Sequence, residues 1–332
     1  MQIMDLRIIK DKIISWSALP SLLLFILFFF INIRIGGFFN RYWLDAFIFT
    51  NGPIICITIG VTAAILIGGI DISLGAIVSM TNVIIVVMVM NGTPVLTAAL
   101  IALFCAIVAG FINGFIIGTV RVNALLATFA TSTIYSGLAL WILPVPGGHI
   151  PFSYNAFFNI QIFGFIPMHY IVMILPLIVW ILLCKTKFYL AVFSLGQNEQ
   201  KAYASGVNVV AVRYIVHTFG GFCAGLAGLY ISAAISTGTP YIGSTMSMTS
   251  IAAAVIGGVS LRGGKGDAWG AIFGALFLSI LLSTVVALRL SSFAQGFVQG
   301  LILLLGVVFT IAIGNSNNRT FFKNIFVKKA KG

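Results

Sequence analysis

Asp71 is the first residue in this sequence whose type asks for a chemical explanation. It stands in Ile67-Gly68-Gly69-Ile70-Asp71-Ile72-Ser73, an acid inside a stretch that is otherwise apolar for tens of residues. The three histidines, His149, His169 and His217, have no histidine or carboxylate partner at metal-ligand spacing. The run RGGKGDAWG at 262–270 has the outline of a phosphate loop. It misses G-x-x-x-x-G-K-[ST] twice, with Val259 in place of the first glycine and Gly266 in place of the hydroxyl residue. Neither G-x-S-x-G nor H-E-x-x-H occurs. Cys56, Cys105, Cys184 and Cys223 are scattered singly through apolar stretches and read as small packing residues. The sequence therefore predicts no catalytic residue, no metal site, no cofactor bound by this chain and no ATP hydrolysis of its own.

The elements that must position these few polar groups follow from composition. The 332 residues are 7% charged and 60% hydrophobic, with a mean hydropathy of +1.14. A soluble domain carries about 25% charged residues, so this chain cannot clothe a water-facing surface and is expected to be an integral membrane protein. Its net charge of +12 is spread between apolar spans rather than gathered on one face, which speaks against nucleic acid and for charge-biased membrane topology.

A spanning helix needs about 20 mostly apolar residues. Candidates lie at 15–33, 46–67, 70–90, 95–118, 122–143, 166–184, 210–236, 245–260, 268–288 and 292–314, the third and eighth being short or interrupted by glycine. The fold class expected is all-α and polytopic with about 10 transmembrane helices, in one domain over 1–332. With the amino end in the cytoplasm, only Arg34, Arg41 and Arg289 of the 18 Lys and Arg fall outside. That places residues 1–14, the loop 185–209 and the basic tail 315–332 inside, and the loop 144–165 outside. No A-x-A-like cleavage site follows the first span, so it is read as uncleaved. A faint internal echo pairs AAILIGGIDISLGAI at 63–77 with AAAVIGGVSLRGG at 252–264.

In this topology all six acids map to span ends or loops, and Asp71 falls near the inner face. Gly68 and Gly69, like Gly257 and Gly258, supply helix breaks. Asp71 or Ser73 then caps the following helix, with a part in gating as the alternative. Asn51, Asn82, Asn113, Asn123, Thr128, Thr131, Gln295 and Gln299 lie at membrane depth. Amides and hydroxyls there suit a path for a neutral, hydroxyl-rich solute; interhelical bonding and small-residue packing, as in Gly110-Phe111-Ile112-Asn113-Gly114, is the other reading. In the inner loop Gly196 ends one element, Asn198 caps a short helix over about Glu199 to Ser205, and Gly206 stops it.

Three stretches together resemble the permease subunit of ABC importers of the ribose/xylose/galactose type, within the wider branched-chain amino-acid permease group. They are IGGIDISLGAIVSM at 67–80, SLGQNEQKAYASGVNV at 194–209 and SIAAAVIGGVSLRGGKGDAWGAIFGAL at 250–276. Ser250 stands where many members carry Asp, and Lys201-Ala202 replaces a paired Ala-Ala. The resemblance implies the ABC importer permease fold, import of a sugar or sugar-like solute, and location in the bacterial inner membrane. It also implies partners: ATP-binding subunits that use ATP and Mg, an external solute-binding protein, and a second permease half, identical or paralogous, all in a lipid bilayer. Gly196, Gln197, Asn198, Glu199, Ala202, Ser205, Gly206 and Val207 match the segment that couples to the ATPase; an ordinary solvated loop helix is the alternative. A partner-independent secondary carrier, a permease for a nucleoside, vitamin or amino acid, and a scaffold or receptor without transport are the competing functions.

Overall fold

The structure, a computed structural model, describes residues 18–36 and 41–288, together with the isolated helical positions 297, 300, 301 and 304. Among the described residues the helices are α1 (Leu19–Gly36), α2 (Arg41–Leu66), α3 (Leu74–Met90), α4 (Val95–Gly118), α5 (Ala124–Ile142), α6 (Phe152–Asn159), α7 (Met168–Cys184), α8 (Phe188–Gln197), α9 (Glu199–Ala204), α10 (Val209–Ile235), α11 (Met246–Ile256) and α12 (Ala268–Ala287). A two-strand antiparallel hairpin, β1 (Gln161–Ile162) with β2 (Ile166–Pro167), separates α6 from α7. The protein is an all-α, multi-pass membrane protein.

Helix ends fall where the sequence supplies caps. Asn123 accepts from Leu125 N, Asn208 from Ala211 N and Asp267 from Gly270 N, at 3.0, 3.0 and 2.6 Å. Pro94, Pro151 and Pro167 occupy the N-cap positions of α4, α6 and α7. Five of the expected spans are the helices α2, α4, α5, α10 and α12, 19 to 27 residues long and apolar enough to cross a bilayer. α7 matches the span expected at 166–184. It does not continue straight into the inner loop, because α8 leaves it at 88°. The expected loop 185–209 is thus largely helical, and the outer loop 144–165 contains α6 and the hairpin. The tenth span, 292–314, lies outside the described residues apart from the four isolated positions, as do residues 1–14 and 315–332.

α2 and α10 form the centre: within their membrane-length windows 78% and 72% of residues are buried, against 33% in α4 and 28% in α5. α4 lies against α10 at backbone distance. A Cβ on Gly114 would stand 2.9 Å from Tyr214 Cα, and one on Gly221 would stand 2.9 Å from Gly110 Cα. The Gly110–Gly114 pair therefore packs helix on helix, as small residues do in lipid where no water-driven attraction holds spans together.

α3 and α11, at 17 and 11 residues, are the two short spans, and both are short for the same reason. The chain enters each through a non-helical segment, 67–73 and 236–245, and these two breaks pack together. Gly75 N donates to Ser247 Oγ at 2.7 Å, Ser247 Oγ donates to Ile72 O at 2.6 Å, and Gly243 N donates to Ser79 Oγ at 2.9 Å. The starts of α3 and α11 meet inside the bundle, each break satisfying the other's backbone where lipid offers no hydrogen bonds.

The internal echo has a structural counterpart one residue out of register. α2 ends with Gly68 N on Ile65 O and Gly69 N on Ala64 O; α11 ends with Gly258 N on Val255 O and Val259 N on Ala254 O. The left-handed residues are Gly68 (φ 82°) and Gly258 (φ 87°). Matching Ile-Gly-Gly letter by letter puts Gly68 on Gly257, but Gly257 has φ −67°. The position that must be glycine is set by the αL turn, not by the string.

Candidate coupling and gating site

One end of the bundle gathers basic side chains from Lys185, Lys187, Lys201, Arg213, Arg262 and Lys265, and there the segment 194–209 is folded as two short helices around Asn198. Asn198 Oδ1 accepts from Lys201 N at 2.9 Å, and its own N–H closes α8 on Ser194 O. α9 stops in a left-handed glycine turn: Gly206 (φ 82°) donates to Tyr203 O and Val207 N to Ala202 O, at 2.9 and 3.1 Å. Ala202 is buried and Val207 packs on the core, whereas Gln197, Asn198, Glu199, Ser205 and Gly206 are exposed. The segment is anchored by Leu195, Ala202, Val207 and Val209 and turns its polar side chains outward.

Gly196 fixes the other half of this segment. A Cβ there would run into Leu66 O and Gly264 N, backbone atoms that no rotamer change can clear. Gly264 N itself donates to Leu66 O at 2.9 Å. A Cβ on Gly263 would lie 2.7 Å from Gly68 N and 2.8 Å from Gly196 O. Three connections therefore meet backbone to backbone: the end of α8, the α2–α3 break, and the α11–α12 hairpin. A second tie runs from α9, where Glu199 Oε2 accepts from Arg213 NH2 on the first turns of α10 at 2.7 Å. The same guanidinium reaches Ile117 O in the last turn of α4 at 3.5 Å, a cation at a helix C-terminus.

Asp71 departs from the sequence expectation. It is only 1% exposed, and its Oδ2 lies 2.8 Å from Nδ1 of His217, which is wholly buried in α10. The carboxylate accepts, so the ring proton is assigned to Nδ1. Oδ1 accepts from Ser73 N and Ser73 Oγ at 3.0 and 2.6 Å. Asp71 thus does satisfy one N–H at the start of α3, but Ser73, the N-cap residue, makes no side-chain cap bond. The cap reading therefore holds for Asp71 and not for Ser73, and Asp71 also meets a buried histidine that the sequence did not pair with it. The α2–α3 connection reaches the surface at Gly68 and then folds inward, burying Asp71 and Ser73, and His217 sits eight residues into α10, about 12 Å from its start.

The polar chain continues from there. Asn113 Nδ2 donates to Ser73 Oγ at 2.7 Å, and Tyr135 OH donates to Ala109 O at 2.9 Å with Asn113 Oδ1 at 3.5 Å. Thr128 Oγ1 donates to Ile70 O and accepts from Ile72 N, at 3.1 and 3.3 Å, and Thr131 bonds back to Thr128 O. Asn82 holds the second break: Nδ2 donates to Ser232 Oγ and Thr237 O, and Oδ1 accepts from Thr239 N at 2.7 Å. So the residues expected along a path divide. Asn82, Asn113, Thr128 and Thr131 are enclosed and engaged with this chain's own groups, and a solute would have to compete with those bonds. Asn51 bonds Phe47 O one turn back in α2, and Asn123 is an exposed cap. Gln295 and Gln299 lie outside the described residues.

Sequence reasoning missed His217, Arg213, Gly263, Gly264, Tyr135 and Ser247. His217 was visible only as the histidine inside a span, and the acid it meets is 146 residues away. Its Nε2 meets no hydrogen-bond partner among the described residues. Among the described residues no group of three or more His, Cys, Asp or Glu could hold a metal ion.

The described residues form a bundle of spans with two inward-folded breaks and a paired short-helix segment at one end. Residues 44–307 match the family described as branched-chain amino acid transport system / permease component, and the chain belongs to that family. It is 32% identical over 220 residues to the ribose import permease protein RbsC of Bacillus subtilis (strain 168), covering 65% of this chain and 68% of that one. It is 34% identical over 232 residues to the autoinducer 2 import system permease protein LsrC of Salmonella typhimurium, covering 68% and 65%, and 30% identical over 278 residues to LsrC of Escherichia coli O9:H4, covering 80% and 78%. No solved structure matches the chain.

Proposed function

We propose that this permease is the membrane-spanning subunit of an ATP-binding-cassette importer that carries a sugar or sugar-like solute into the cell. Its ATP-binding subunits, which use ATP and Mg, dock on 194–209, a solute-binding protein delivers from the opposite side, and a second permease half completes the path. The segment end faces the cytoplasm and the membrane is the bacterial inner one. The observation that carries this reading is the build of 194–209: a polar outer face, apolar anchors beneath, and Gly196 seated without clearance on the end of α2 and on the α11–α12 hairpin. A load applied to α9 reaches the segments that must move if a path is to open, as rigid-body displacement rather than side-chain rearrangement. The names of the ribose and autoinducer 2 relatives support the solute class, and neutral amide and hydroxyl groups near the breaks suit it.

The test is uptake by proteoliposomes holding the chain with its ATP-binding subunits and binding protein, with ribose and other neutral sugars as probes. Uptake that needs ATP and is lost on deleting 199–204 is expected; uptake by the chain alone, indifferent to ATP, would overturn the reading. The buried Asp71–His217 pair favours one competitor, a gradient-driven carrier, because a titratable pair inside the bundle is the equipment such carriers use. Accumulation by the chain alone under an imposed pH gradient would select it.

A further inference from the structure

The contacts at the basic end close on themselves. From Gly196 the route crosses to Leu66 and follows the chain through Gly68 to Asp71. It passes from Asp71 to His217 at 2.8 Å, descends one turn of α10 to Arg213, crosses to Glu199 at 2.7 Å, and returns through Asn198 to Gly196. Two of the junctions are covalent runs of chain, one is a helix turn, and one is a backbone contact without clearance. The remaining two are hydrogen-bonded side-chain pairs, and they differ in kind. Asp71–His217 is fully buried, while the Arg213 and Glu199 side chains are 20% and 53% exposed.

We propose that Asp71–His217 and Glu199–Arg213 are positioning pairs that close a mechanical ring, through which the segment 194–209 and the start of α3 are compelled to move as one body. The proposal rests on the coupling role given above to 194–209 and assigns the means of transmission. A closed ring is stiffer than the same contacts in an open chain, because displacing one member must strain every other. Without Asp71–His217 the α2–α3 break would lose its direct tie to α10, keeping the contacts of Gly196 and Gly263 and the longer route through Ser73–Asn113. Without Glu199–Arg213 α10 would be tied to it only through the connection at Asn208. Ser73–Asn113 and Thr128–Ile70 extend from the ring into α4 and α5, so whatever the ring does is felt by the two least buried of the five long spans. A buried polar pair is a poor means of gaining stability, since desolvation offsets most of its attraction. Its retention inside an apolar bundle is accounted for if it transmits position.

The ring makes a prediction that separate contacts do not. The two pairs act in series, so opening either one opens the same ring, and opening both adds nothing. Hydrogen exchange of the full chain in lipid nanodiscs reads this without solute or partner. His217→Phe, which keeps volume and removes the donor, is expected to speed exchange of the α9 amides by about threefold, the scale of a partly exposed pair. Glu199→Gln is expected to speed the amides of 69–73 by a similar factor, although those residues lie across the ring from it. The double variant matches the larger single effect, and His217→Asn, which restores an N–H at the Nδ1 position, returns α9 to its original rate.

Glu199→Gln alters an exposed side chain and keeps the test decisive even where His217→Phe does not fold. Unchanged exchange at 69–73 in that variant, or effects that multiply in the double variant, would overturn the ring. ATP-driven uptake by the assembled complex combined with such a negative exchange result overturns the ring alone. A positive exchange result with ATP-independent uptake overturns the proposed function and leaves the ring standing.

Discussion

Replacing Gly196 by alanine adds one methyl group at the point where α8, the α2–α3 break and the α11–α12 hairpin touch. The new Cβ would collide with Leu66 O and Gly264 N, and Gly264 Cα would lie 3.0 Å away. None of the three can rotate aside, so one backbone must retreat. Overpacking of a rigid site costs about 1–3 kcal/mol. A retreat of Gly264 also weakens its 2.9 Å bond to Leu66 O, worth about 1 kcal/mol net. Against this, alanine is favoured over glycine inside a helix by about 1 kcal/mol. The net loss expected is therefore about 1–3 kcal/mol. Gly137 in α5 is the matched control, because a Cβ there meets nothing within 4 Å and only the helix preference acts. Denaturant-induced unfolding of the two purified variants in the same lipid should separate them by about 2–4 kcal/mol, Gly196→Ala being the less stable. A difference under about 0.5 kcal/mol, within the ordinary scatter of surface changes, would show that the junction gives freely and could not pass a load from α9 to the breaks.

Asp71→Ala should destabilise the chain by about 1–3 kcal/mol, since it strands the buried imidazole Nδ1 and takes the acceptor from Ser73, and the same unfolding assay reads it. Asn82→Ala takes the side-chain partner from Thr239 N–H and Thr237 O, a loss of about 1–3 kcal/mol, and should raise protease sensitivity around 236–245 first. Tyr203 is 74% exposed on α9, so Tyr203→Cys in a background without the native cysteines should react with an impermeant maleimide in inverted membrane vesicles and not in intact cells; the opposite pattern would reverse the orientation.

Much of the span pattern was legible because a bilayer imposes a one-dimensional rule. Each crossing must satisfy its backbone locally, so length and hydropathy alone delimit α2, α4, α5, α10 and α12 within a few residues. Asn198 and Gly206 were legible for a related reason, since capping and αL turns depend on neighbours within one turn of helix. α3 and α11 were readable as short without any indication of where their broken ends go. Nothing in a local window says whether Gly-Gly after a helix leads to water or back into the bundle.

What the amino-acid sequence determined by itself is the class of molecule, the order of the long spans α2, α4, α5, α10 and α12, and the position of its short-helix segment. Only the tertiary structure decided that Asp71 is buried against His217, that Gly196 rests on Leu66 and Gly264, and that the faint glycine echo is shifted by one residue. Those are meetings of groups tens to well over a hundred residues apart. Hydropathy fixes how many times a chain crosses lipid, but which crossing touches which is settled by close packing of small residues and by buried polar groups seeking partners.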